Sequence, residues 1–251
     1  MSATAHRHPR PTPAAFVLLF ALSACDNVAS SEIATSETGI DVYVQVDPAG
    51  EAWATAKLST DNPALLEVTY LNLEDGDHLD LAVGARRWRM EEQLLVPWGI
   101  YQYVATVDDL AGGEELVIGY QRLHDADAPG TRVRIPAPIA LETASTTISR
   151  RDGLRLTWLG GDGADRVAVR IRSRSQSACV TPVDHEVERS AGGLTVEPVE
   201  LAVPAGADPS LPCPLLAEVT ALADGRVDPA FGRGGTILAG RSRTLELTAT
   251  P

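Results

Sequence analysis

Few side chains in this 251-residue sequence have the type and spacing to do chemistry. His78, His124 and His185 each stand beside a carboxylate: Asp77, Asp125, and Asp184 with Glu186. An imidazole steered by a carboxylate can act as base to a serine hydroxyl. No G-x-S-x-G, H-E-x-x-H, phosphate-binding loop or G-x-G-x-x-G in a suitable context accompanies them. Turn positions are therefore the simpler reading of these histidines, and no catalytic residue is nominated. Among 34 acidic residues no glycosidase-type carboxylate pair singles itself out either.

Three further groups could bind rather than react. Glu74, Asp75, Asp77 and Asp80 could offer oxygens to calcium. Their spacing lacks the glycine and terminal glutamate of a calcium loop, and Asp and Gly build turns for local reasons. Asp108-Asp109 with Glu114-Glu115, and Asp125 with Asp127, are read the same way, so no metal site is expected. Arg166, Arg170, Arg172 and Arg174 share parity along one segment and should line the face opposite Val167, Val169 and Ile171. In a chain of net charge −13 this stripe could receive an anionic glycan, a headgroup or an acidic partner; its plainer role is a solvated face paired with carboxylates. Trp53, Trp88, Trp98, Tyr101 and Tyr103 could stack on sugar rings if exposed together, or fill a core.

The remaining reactive group is the thiol of Cys25. It follows an 11-residue apolar run, Ala14 to Ala24, which is too short to span a bilayer and suits a secretory signal. Leu22, Ser23 and Ala24 put one large apolar and two small residues before it. This segment resembles the lipobox of bacterial lipoproteins at all four positions. The resemblance implies cleavage between Ala24 and Cys25, thioether attachment of diacylglycerol to Cys25, and usually N-acylation of the new terminus. Two or three acyl chains anchor firmly, at about 0.8 kcal/mol per buried CH₂. In enterobacterial lipoproteins an aspartate after the cysteine resembles an inner-membrane retention signal. Asp26 would thus keep the protein on the inner membrane facing the periplasm; otherwise the outer membrane is expected. With Cys25 assigned, Cys179 and Cys213 remain, and in an oxidising compartment the two should pair, contributing about 3–4 kcal/mol.

Loss of the leader removes Arg7 and Arg10 and makes the mature chain about two units more negative. That charge disfavours nucleic acid as a partner. No cofactor is implied.

The elements that must position these groups read as short strands. Residues 1–24 are expected to be signal peptide and 25–39 a lipidated, flexible tether with an r.m.s. reach of about 20 Å. Residues 40–136 should form a first β-sandwich and 139–251 a second, joined at Ile135-Pro136-Ala137-Pro138, where two prolines stiffen the link. In the first, Ile40, Val42, Val44 and Val46 alternate with polar residues. Trp53–Leu58, Leu66-Val68-Tyr70, Leu79-Leu81-Val83, 101–107, 116–120 and 133–135 follow, with a bend or bulge expected between Gly84 and Trp88. In the second come 154–158, 167–171, Val199-Leu201-Val203, 215–221 and 245–249. The Trp158 strand, the Gly160-Gly161-Asp162-Gly163 turn and the valine-rich strand resemble the second and third strands of a fibronectin type III or immunoglobulin-like domain. The fold class expected is all-β: two tandem immunoglobulin-like sandwiches.

These features point to a membrane-anchored envelope lipoprotein that binds or assembles and does not catalyse, meeting an envelope protein or a glycan. A glycan-binding or glycan-processing accessory protein is the second reading, and a lipoprotein enzyme with an unrecognised site is the third.

Overall fold

The computed structural model describes residues 28–62, 67–96, 98–143, 145–175 and 178–251. The signal segment with Leu22, Ser23 and Ala24 lies outside the described residues, as do Cys25, Asp26 and Leu66.

The chain is all-β, and four short 3-10 turns are the only helical elements among the described residues. The strands are β1 (Val28–Ala29), β2 (Gly39–Val46), β3 (Ala52–Asn62), β4 (Glu67–Asn72), β5 (His78–Val83), β6 (Arg86–Arg89), β7 (Glu91–Leu95), β8 (Ile100–Val107), β9 (Glu115–Gln121) and β10 (Ala128–Arg134). There follow β11 (Ile139–Glu142), β12 (Thr147–Ser149), β13 (Leu154–Gly160), β14 (Arg166–Ser173), β15 (Val183–Glu188), β16 (Gly193–Val196), β17 (Cys213–Asp224) and β18 (Gly235–Thr250).

One eleven-stranded sheet runs through both halves of the chain in the order β1-β4-β3-β2-β18-β17-β14-β15, with β8 and β7 on the β3 edge and β12 on β18. Two smaller sheets cover its inner face. The β10-β9-β5-β6 sheet closes the first core and the β11-β13-β16 sheet closes the second. Alternation explains the layering: Ile40, Val42, Val44 and Val46 of β2 are buried while Asp41, Tyr43 and Gln45 face out. In the second half, β11, β13 and β16 lie opposite β14, β15, β17 and β18, so β13 and β14 belong to different sheets, as the second and third strands of an immunoglobulin-like sandwich do.

The two cores do not part at one point in the chain. The 16-residue β18 pairs parallel with β2 over 235–241 and antiparallel with β17 along 238–249. Ala223, Phe231, Ile237 and Ala239, all beyond the Pro136–Pro138 join, pack in the first core. Burying side chains the size of Ile237 or Phe231 contributes about 1.5–3 kcal/mol each, which draws this late segment back. Arg241, buried at the middle of β18, donates to the carbonyls of Leu110 (3.0 Å), Ala111 (2.9 Å) and Pro136. It thereby satisfies a turn and the linker in one place.

Four sequence expectations change. Residues 28–38 are not part of a free tether. β1 pairs with β4, two 3-10 turns follow, and Ser30, Thr35 and Thr38 are buried. Their small polar composition looks like a linker, but their hydroxyls and carbonyls are bonded by the domain. In β4 the phase is shifted by one: Thr69 and Leu71 face inward, and Val68 is exposed. The reversal near Gly84 is a two-residue turn between β5 and β6, with Gly84 at φ +59°. The segment 199–203 is not a strand. Pro198 and the reciprocal capping of Glu197 and Glu200 wind 198–201 into a 3-10 turn that buries Leu201 and exposes Val199.

Candidate functional site

The acidic groups serve turns. Asp77 is buried and accepts from Ser30 Oγ (2.8 Å) and the Leu123 amide (2.9 Å), while Arg122 Nε stands 2.7 Å from it. Asp75 sits in the left-handed region at φ +55°. Glu114 accepts the amides of Ala111 and Gly112, which outweigh the opposing effect of burial and hold its carboxyl below the usual range. The amide of Thr35 does the same for Asp125, and Asp127 takes the Arg122 amide. Among the described residues no three His, Cys, Asp or Glu side chains converge as a metal cluster.

His78 and His124 flank the Asp77–Leu123 hydrogen bond, whereas His185 lies on β15 in the second half. His78 Nδ1 contacts the Gly76 carbonyl and its Nε2 stands 3.6 Å from Asp80. His185, on strand β15 rather than in the turn expected for it, meets Glu200 of the 198–201 turn at 2.6 Å and not its sequence neighbours. His124 is exposed. Cys179 and Cys213 form a disulfide with their Cα atoms 5.7 Å apart, tying the 179–180 bend to the start of β17.

The aromatic group divides. Tyr103 is core: its hydroxyl donates to the Leu71 carbonyl and accepts the Leu73 amide, and burial pushes its pKa well up. Trp88 and Tyr101 are half-buried against the same core, with Arg86 over the Trp88 ring. Trp53 is 44% exposed and Trp98 63%. Tyr43, not singled out by the sequence, is 42% exposed on the outer face. The parity it shares with Asp41 and Gln45 marks it as outward; only the register shows what it faces.

The outer face of the long sheet is where these groups meet. β2 pairs with β3 so that Gln45 opposes Trp53 and Tyr43 opposes Thr55, which places Tyr43 and Trp53 on a diagonal within aromatic reach. On the other side Tyr43 opposes Leu238, and its hydroxyl extends over Gly240. A Cβ at Gly240 would come within 3.1 Å of that hydroxyl, so glycine is what lets the ring lie along the sheet. The Thr220–Ser242 hydroxyl pair and the Arg170–Glu218 register pair continue the face into the second half. Burial raises the Tyr43 pKa, Arg170 opposes that rise and Glu218 adds to it.

The arginine stripe lies on this face, opposite buried Val167, Val169 and Ile171. Arg166 is clamped between Glu186 and Asp224, Arg170 pairs with Asp184 at 3.1 Å, and Arg174 pairs with Glu246 at 2.6 Å. Arg172 is exposed and has no ion pair among the described residues. The stripe is thus largely compensated within the fold, leaving Arg172 as its unneutralised cation on the sheet face that also carries Tyr43, Trp53 and the hydroxyl pair.

No family model matches the sequence, and no curated protein matches it. Three solved structures illustrate its likenesses. A cytokine receptor complex is 13% identical, with 82% of this chain and 95% of that chain covered, at a TM-score of 0.30. The mouse nectin-like molecule 4 ectodomain (Ig1–Ig3) is 11% identical over 85% and 64%, at 0.25. The Yersinia pseudotuberculosis adhesin InvE is 11% identical over 86% and 59%, at 0.24. At these scores the architecture rests on the strand pairing alone.

Proposed function

We propose that this protein is a lipid-anchored envelope lipoprotein acting as a non-enzymatic binding or assembly module, and that it meets its partner on the outer face of the long sheet. The anchor rests on the Leu22-Ser23-Ala24-Cys25 motif. The observation that carries the binding role is the continuity of the outer face. Because β18 belongs to both halves, Trp53, Tyr43, the Thr220–Ser242 pair, Glu218 and Arg172 share one sheet surface. A sheet surface mixing aromatic, hydroxyl and charged groups suits a protein partner.

The test is photo-crosslinking in the native host from a probe at Arg172 or Tyr43, with a probe at exposed Arg151 as control. Capture of a shared envelope partner from both face positions and not from the control supports the reading. Capture from the control alone overturns it. The glycan reading is favoured by one specific observation, the exposed diagonal pair Tyr43 and Trp53. Binding of envelope oligosaccharides that W53A abolishes would select it.

A further inference from the structure

The first sandwich has one end from which β2 and β18 start and at which β3 finishes. We propose that this end is a membrane-contact surface, seated in the interfacial layer of the bilayer beside lipidated Cys25. The inference rests on the anchored reading above.

The first argument is reach and direction. β1 runs parallel to β4, with Val28 opposite Leu71 and Ala29 opposite Asn72. The chain therefore enters β1 from the side of Glu67, where β4 begins, and β4 begins at the finishing end of β3. Three Cα-to-Cα steps separate Cys25 from Val28, a span of at most about 11 Å. Because residues 30–38 are bonded into the domain, no slack of tether length remains to lift it away.

The second argument is what that end exposes. Val68, opposite Asp61 near the finish of β3, is 57% exposed. β7 and β8 leave β3 beyond the Ala56–Tyr103 pair and turn at the same end. There Leu94 is 48% exposed, Val96 74% and Trp98 63%. An apolar group of this kind on a small sandwich marks a contact surface. A tryptophan beside aliphatic residues suits the boundary where one end of the ring is apolar and the other wet.

The third argument selects the occupant. The ion pair at this end is that of Asp61 with Arg233, which leaves the end without a surplus of positive charge. This surface has no excess of cations to draw anionic headgroups, so the contact is apolar insertion. A single short-reach anchor and an apolar rim at the same end make the bilayer the surface already within reach. The β18 strand begins here and runs about 53 Å into the second half, which carries the outer face of β14, β17 and β18 away from the membrane.

The experiment uses the full chain, purified from membranes and characterised by intact mass. It is reconstituted in phosphatidylcholine vesicles with plain or brominated acyl chains, and tryptophan emission is read. The expected result is quenching by brominated lipid in the parent and in W53F, with that quenching lost in W98F. Absence of lipid on Cys25 defeats the anchored reading, and this proposal with it. Lipid on Cys25 with equal emission in plain and brominated vesicles overturns the membrane-contact proposal alone, as does undiminished quenching in W98F. A micromolar dimer that W98E turns into a monomer, without bromolipid quenching, makes this end an interface between copies and also overturns it.

Discussion

Arg122 Nε lies 2.7 Å from Asp77 Oδ2 with both side chains almost wholly removed from solvent, and the same guanidinium donates to the carbonyls of Ser30 and Ile33. It also lies over the Tyr120 ring, which stacks on Phe231. One side chain thus fastens the N-terminal segment, the β9–β10 loop and the late segment that closes the first core.

Removing one partner of such a buried pair leaves a charge without compensation and costs about 3–5 kcal/mol. Arg122→Met should therefore lower stability by that order in denaturant titration. It should also expose residues 30–38 to protease before the rest of the chain. Exposed Arg172→Met should change stability by less than about 0.5 kcal/mol. Equal losses for the two would show that Arg122 is not the fastening.

Asp125 gives the same segment a pH dependence. The Thr35 amide is the largest cause holding its carboxyl below the ordinary range, with the Ala126 amide and Arg122 adding to it. A carboxyl whose folded value is depressed contributes stability that is complete above its unfolded value of about 3.9. That stability is lost as pH falls through the lower folded value. Hydrogen exchange at the Thr35 amide should therefore show protection that is level above about pH 4 and declines below it. In Asp125→Asn, which keeps an acceptor oxygen and cannot titrate, the decline should disappear.

How far the sequence revealed this arrangement depended on whether pattern or pairing decided each element. The alternation of Ile40, Val42, Val44 and Val46 stated both strand and buried face, and the strand at 167–171 placed the arginines outward for the same reason. The role of residues 28–38 was invisible because their burial depends on Arg122 and Asp77, both far along the chain. The start of β18 was missed because Gly235, Gly240 and Arg241 break the apolar pattern, although Gly240 makes room for Tyr43 and Arg241 satisfies carbonyls of the join. The turn at 198–201 shows the reverse error. Val199, Leu201 and Val203 alternate, but Pro198 and the Glu197–Glu200 capping set the backbone. On the outer face, periodicity found the arginines. Placing Tyr43 and Arg170 on one sheet face needed the parallel pairing of β18 with β2, which no local pattern encodes.

The disulfide belongs to the second core alone. Cys179 and Cys213 are 34 residues apart, and closing a loop of that size stabilises by about 3–4 kcal/mol on the chain-entropy model. Cys213 is fully buried beside Leu215 and Ala249. Reduction, or the C179S/C213S double variant, should lower stability by that order. Because β17 and β18 carry both cores, the thermal transition should move as one. A reduced protein whose first core melts at the parental temperature while the second melts earlier would show that the shared strands do not couple them.

Gly240 tests the binding face without altering any of its side chains. A Cβ there would meet Thr220 Cγ2 at 3.0 Å, the Tyr43 hydroxyl at 3.1 Å and Leu222 Cδ2 at 3.2 Å. These contacts are tight but involve side-chain ends, so Gly240→Ala should cost about 1–3 kcal/mol by overpacking and leave the sheet intact. Its main effect should be to tilt Tyr43 off the sheet, out of line with Trp53. Photo-crosslinking from Arg172 in this background should then lose the partner captured with the parent chain. Tyr43→Phe, which keeps the ring and removes only the hydroxyl that meets the added methyl, should restore capture in the double variant. If Gly240→Ala captures the partner undiminished, the ring's position over β18 does not matter to binding, and the outer face must be engaged elsewhere.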